Sequence, residues 1–173
     1  MNYNLTGNLV DSYASTICHL PFYNKGKRWL KRSELLFPVF NMPLEKMIDL
    51  CNPGDVMGTV TEQVSKQSGL PQGLKIIASG SDKSCETLGG GCLAKNVASV
   101  SFGTSSTVQF STKKYFEPEP FMPSYPSVVK GYYNPEVQIF RGYWMISWFK
   151  KHFAEHLEKR AEETGKSVEE LMN

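Results

Sequence analysis

Residues 74–110 read LKIIASGSDKSCETLGGGCLAKNVASVSFGTSSTVQF, and this stretch decides the fold. Leu74, Ile76, Ile77 and Ala78 form a short apolar run between Gly73 and Gly80, the pattern of a buried strand. A turn carrying Ser81 and Asp82 follows at the strand's carboxyl end, at the mouth of a helix. Gly89-Gly90-Gly91 ends that helix or lets another backbone pack close to it. Val97, Ser99 and Ser101 then alternate with Ala98, Val100 and Phe102. Thr107 to Phe110 continue after a bend at Gly103-Thr104-Ser105, so the spacing predicts a hairpin.

Two readings of Asp82 follow from its place. In open α/β sheets ligands sit at the carboxyl edge of the strands. Amides at a helix start also keep a carboxylate ionised, as a general base must be. The plainer reading is an N-cap. Gly103-Thr104-Ser105 divides in the same way, between an ordinary hairpin turn and a cradle whose amides and hydroxyls face phosphate. Gly80-Ser81-Asp82-Lys83-Ser84 is not a phosphate loop, because the G-x-x-x-x-G-K-[ST] spacing is absent and Asp82 would set negative charge among phosphates. Lys83 therefore reads as a surface or pairing residue.

The order of motifs resembles the middle of the FGGY carbohydrate kinases, in particular their xylulokinase-like branch. The matching residues are Gly80-Ser81-Asp82 with Gly89-Gly90-Gly91, then Ser101-Phe102-Gly103-Thr104-Ser105. Leu5-Thr6-Gly7, Val10-Asp11-Ser12-Tyr13-Ala14-Ser15 and the run GYYNPEVQIFRGYWMISWFKK extend the match over nearly the whole chain. Ser81 stands where the family usually has glycine. The resemblance implies an α/β segment of the actin-like ATPase (ribonuclease H-like) two-domain fold. Residues 1–95 would close the first domain and 96–173 open the second. It further implies that Asp82 is the base that takes a proton from a sugar hydroxyl. Gly103, Thr104 and Ser105 would meet the phosphates of ATP, with Mg2+ as the accompanying ion. Sugar and ATP are the implied partners, and the resemblance admits a homodimer. Whole family members are much longer, with an upstream phosphate hairpin and a downstream adenosine site. The implied enzyme is a sugar phosphotransferase of which this chain holds the middle, inactive alone. The alternatives are a non-catalytic fragment or pseudo-kinase interaction module, and another ATPase of the actin-like superfamily.

Composition bounds these readings. The chain has 173 residues, 40% hydrophobic and 21% charged, as in a soluble globular protein. A net charge of +2 and the lack of a long basic run argue against nucleic acid. The densest cluster, Lys25 to Arg32 (KGKRWLKR), is interrupted by Trp29 and Leu30 and reads as a solvated surface segment. Without a secretory pattern or an apolar run of bilayer length, the expected setting is cytoplasmic, with no membrane partner. Cys18, Cys51, Cys85 and Cys92 lack C-x-x-C spacing and read as buried thiols.

The remaining elements are expected as follows. Residues 1–40 are aromatic-rich and irregular, and in the family this region lies near the sugar cleft. Leu44, Met47, Ile48 and Cys51 share one face of a helix over 43–52, stopped by Pro53-Gly54. A short strand or bend at 56–60 precedes a second helix capped by Thr61 and closed by Gly69. Residues 111–135 form a proline-rich connection. A single amphipathic helix runs over 141–164, with Met145, Phe149, Phe153, Leu157 and Ala161 recurring and Glu155 paired to Lys159. Its Trp144 and Trp148 are assigned to the core. His152 and His156 share metal-ligand spacing, but no third ligand is evident and no metal site is assigned. Ser167 and Glu170 make a capping box that announces a new helix.

Overall fold

The computed structural model describes residues 1–16, 21–40, 42–94 and 96–172. The chain divides into two compact units, one of residues 1–99 with 109–137, the other of 100–108 with 138–172. Cys18 lies outside the described residues.

The first unit opens with helix α1 (Asn2–Thr6), ended by Gly7, and strand β1 (Val10–Ser12). A single 3-10 turn, Tyr13–Ser15, is capped by the Ser12 hydroxyl. Strands β2 (Phe22–Tyr23) and β3 (Arg28–Trp29) form a small antiparallel hairpin, followed by the short helix α2 (Phe37–Phe40). Residues 1–16 and 21–40 therefore carry short regular elements joined by turns, where irregular chain was expected. Tyr13, Ala14 and Phe22 form a buried cluster with Trp29 and Leu50 packed on it. The Phe22 and Trp29 rings meet edge to face at 5.6 Å, a favoured aromatic geometry.

The helix expected over 43–52 does not form. Only Leu44–Lys46 makes a 3-10 turn, and strand β4 (Asp49–Cys51) pairs in parallel with β1. The indole of Trp29 donates to the Ile48 carbonyl at 2.8 Å. A pairing partner forty residues away thus outweighs the local spacing of apolar side chains.

Strand β5 (Val56–Thr59), helix α3 (Glu62–Ser68) and strand β6 (Lys75–Ile77) follow as expected in order. Thr61 caps α3 through the Val64 amide, and Gly69 closes it in the left-handed conformation at φ 77°. Strand β6 is not the buried strand its apolar run predicts. It pairs only with β5, antiparallel, so Leu74 and Ile77 stay exposed while Ala78 alone is buried. Helix α4 (Asp82–Gly89) comes next, and Gly90-Gly91 turn the chain out of it.

Residues 109–137 are more than a connection. They carry strands β9 (Tyr125–Pro126) and β10 (Tyr133–Asn134), paired antiparallel, and bury Ser124, Pro126, Ser127, Asn134 and Pro135 within the first unit. Proline suits this packing because it brings no amide donor to satisfy.

The hairpin of β7 (Ser99–Phe102) and β8 (Ser106–Gln109) forms as read, and β11 (Glu136–Ile139) adds to β8. The second unit continues into helices α5 (Trp144–Phe153), α6 (Glu155–Thr164) and α7 (Val168–Leu171). The single helix expected over 141–164 is broken at Ala154, which is buried. A spacing of four advances about 400° around a helix of 3.6 residues per turn, so each recurrence drifts by about 40° and no straight helix keeps all five on one face. The expected Glu155–Lys159 pair is replaced by Lys150–Glu169 at 2.6 Å. Trp144 and Trp148 are exposed rather than core. The capping box forms, with Ser167 and Glu170 satisfying each other's backbone amides. His152 and His156 are exposed. Among the described residues no group of three or more His, Cys, Asp or Glu converges on a metal position. Cys51, Cys85 and Cys92 are free thiols, of which only Cys92 is buried.

Candidate functional site

Asp82 is the first residue of α4, and Ser81 precedes it in extended conformation. The capping bond comes from Ser81, whose hydroxyl accepts the Ser84 amide at 3.3 Å. The N-cap reading of Asp82 is thereby overturned. Cap residues need extended backbone and a short oxygen that reaches back over the first turn, and Ser81 has both. The Asp82 carboxylate is left exposed on the first turn, with Oδ1 accepting the adjacent Lys83 amide at 2.7 Å. Lys83 pairs with Glu86 at 2.9 Å.

The turn before Asp82 is held closely on both sides. The Ser81 amide donates to the Ala14 carbonyl at 3.0 Å, which ties α4 to the Tyr13–Ser15 turn. A Cβ at Gly80 would lie 3.0 Å from Val128 and 3.2 Å from Ala14, so glycine lets both segments approach. Beneath the helix runs a buried polar network. The Ser84 hydroxyl donates to Asn134 Oδ1 at 2.8 Å and accepts the Val128 amide at 2.6 Å. The Asn134 amide nitrogen donates to the Phe110 carbonyl and the Ser111 hydroxyl, both at 3.1 Å. One turn on, Thr87 donates to the Lys83 carbonyl at 2.8 Å and also meets the Gln109 side chain. A hydroxyl has one proton, so Thr87 donates to the Lys83 carbonyl or to Gln109 Oε1, one at a time.

A recess of about 410 Å³ lies on the β6 side of this turn, with Asp11, Ser15 and Ser79 among its mainly apolar lining. It brings part of the Ser12–Ser15 stretch to the carboxyl end of β6.

In the second unit, Gly103, Thr104 and Ser105 form the bend between β7 and β8. The Gly103 amide donates to the Ser105 carbonyl at 2.9 Å, and Gln138 donates to the Ser105 hydroxyl at 2.8 Å. The segment after β11 clamps the bend: Tyr143 donates to the Gly103 carbonyl at 2.9 Å, and Ser106 donates to the Arg141 carbonyl at 2.8 Å. Gly142 is the close-approach residue of this clamp, since a Cβ there would stand 1.8 Å from the Gly103 oxygen. The amide and hydroxyl of Thr104 bond to no other described residue. Those two outward donors fit a phosphate group, whereas the Gly103 amide is already engaged.

Of the residues singled out in the sequence, Asp82 therefore sits in the first unit and Gly103, Thr104 and Ser105 together in the second. Gly142, Ser84, Asn134 and Gln109 were not read as site residues. Gly142 carried a usable signal as a lone glycine just ahead of an apolar helix. The other three make bonds across 22 to 50 positions that no periodicity reveals.

The architecture is a mixed α/β segment of the actin-like ATPase fold. It superposes on the crystal structure of xylulose kinase from Rhodospirillum rubrum with a TM-score of 0.78 at 18% identity, over 94% of this chain and 33% of that one. In sequence the chain is 28% identical, over its whole length and 35% of the other protein, to the uncharacterized sugar kinase YgcE of Escherichia coli K12. It is 25% identical to the xylulose kinase of Lactococcus lactis over 88% of this chain and 30% of that enzyme. No protein-family model matches the chain. The chain spans about a third of the length of the curated relatives it matches.

Two stability measurements follow from this geometry. Ser81→Ala should cost about 1 kcal/mol through the lost cap, whereas Asp82→Asn should stay within about 0.5 kcal/mol, as for an exposed side chain. Urea titration of both variants checks the assignment, and the reverse ranking would return the cap to Asp82. Gly142→Ala should destabilise by about 1–3 kcal/mol or more, because the backbone of the bend must move. Hydrogen exchange at the Tyr143 amide should rise with it, and unchanged exchange would show that the clamp is loose.

Proposed function

We propose that this chain is the middle segment of an FGGY-type carbohydrate kinase of the xylulokinase-like branch, which transfers phosphate from ATP to a hydroxyl of a pentulose or related sugar. The observation that carries the reading is the exposed Asp82 carboxylate at the start of α4, relieved of capping by Ser81. Likeness to sugar kinases along nearly the whole chain supports it. Residues 1–95 correspond in this reading to the end of the first kinase domain, and 96–173 to the opening of the second.

Asp82 accepts the proton of the sugar hydroxyl as its oxygen attacks phosphorus. Thr104 donates its amide and hydroxyl to phosphate oxygens, while the Gly142 clamp keeps the bend in place before substrate arrives. Bound MgATP supplies the transferable phosphoryl group and the neutralising cation. No helix among the described residues is long and apolar enough to cross a membrane.

The test is phosphoryl transfer to a panel of pentuloses by the full reading frame that carries this sequence. Asp82→Asn should lower kcat by about 10²–10⁴-fold, the usual contribution of a positioned base, with the melting temperature unchanged. A variant that keeps its turnover removes Asp82 as the base. If the panel and a MgATP titration are both silent, the interaction-module alternative takes over, resting on the exposed Trp144, Trp148 and Phe153 of α5.

A further inference from the structure

The basic run Lys25–Arg32 is not wholly the solvated segment its composition predicts. Its turn between β2 and β3 is fastened to the β9–β10 segment, because the Tyr133 hydroxyl donates to the Lys25 carbonyl at 2.7 Å. Lys27 takes a left-handed backbone at φ 53°, which side chains other than glycine adopt only when their surroundings hold them there. Its side chain is half-buried, and the ammonium lies 4.1 Å from the centre of the Tyr133 ring and 5.5 Å from that of Tyr13. Among the described residues Lys27 has no carboxylate partner. Burial lowers its pKa, so the charged form stands short of compensation.

Lys27 and Lys130 line one recess of about 440 Å³, together with Tyr13, Asn52 and Gly131. No carboxylate is part of that lining. Asp55 acts on Lys130 and also on Tyr13 and Cys51 of the lining, and its Oδ2 accepts from the Asn52 amide at 3.0 Å and the Asn52 side chain at 2.8 Å. An anion in the recess would meet both lysines, Lys27 half-buried and Lys130 exposed. A dianion matches both charges, and lysines bind phosphate as point charges without demanding a fixed fork geometry.

We infer that the recess between Lys27 and Lys130 is a binding site for a phosphate dianion, either the free ion or a small phosphate ester. It lies in the first unit and does not include Asp82 or the Gly103 bend, so it is independent of the phosphoryl-transfer reading.

Isothermal titration of the chain with inorganic phosphate, and separately with ribose 5-phosphate, tests this at constant ionic strength with no nucleotide or sugar present. One saturable site is expected, with affinity falling about tenfold or more in Lys27→Met and in Lys130→Gln, the loss of one charge-assisted contact. Tighter binding of the ester would mark an organic phosphate site, and equal binding a site for the free ion. Lys130 is exposed, so Lys130→Gln keeps the fold and decides the matter even where Lys27→Met unfolds. Absence of saturable heat, or affinity unchanged in Lys130→Gln, overturns the inference.

Discussion

The structure of the first unit depends on one buried hydroxyl. Ser84 is 1% exposed, and it satisfies both the Asn134 side chain and the Val128 amide. A buried polar atom left without a partner costs about 1–3 kcal/mol, so the rotation of α4 about its axis and its depth against residues 126–134 are constrained together. Thr87, on the same face one turn later, adds Gln109 to the set. With that face of the helix committed inward, the first turn has its roles assigned. Ser81 reaches the Ser84 amide and Asp82 points away. The freedom of the Asp82 carboxylate is thus a consequence of what the other side of the helix must do.

The second unit solves a different problem by a different means. Its bend at Gly103–Ser105 is fixed by close backbone contact with residues 142–143, together with the Gln138–Ser105 and Ser106–Arg141 hydrogen bonds. Gly142 allows that contact because nothing larger fits against the Gly103 carbonyl. The result is a turn whose shape is set while Thr104 keeps its donors free. Such prearranged donors suit an anion, since no reorganisation is needed when charge arrives. The same fold carries different chemistry in different proteins, which is why the functional reading rests on Asp82 and Thr104 rather than on the superposition.

Much of this was legible in the sequence where the signal is local. Thr61 and Gly69 bound α3, Ser167 and Glu170 form their box, and the 103–105 bend falls between its strands. Failures came where distant chain decided the outcome. Residues 49–51 had helical spacing yet pair with residues 10–12, and the 141–164 pattern drifted too far around a helix to remain one. The sequence singled out Asp82 but not its neighbour's role as cap, because Ser and Asp are nearly equal as caps and only the backbone shows which is extended. The prolines of 111–135 suggested a loop, although two of them are fully buried against the network.

The most direct test of the account is a double-mutant cycle between Ser84→Ala and Asn134→Ala, measured by urea unfolding. If the buried hydrogen bond fixes α4, the two changes should be coupled by roughly 0.5–3 kcal/mol, as for groups in one network. Additivity within about 0.3–0.5 kcal/mol would show that the two side chains act independently. The placement of Asp82 would then owe nothing to the network beneath its helix.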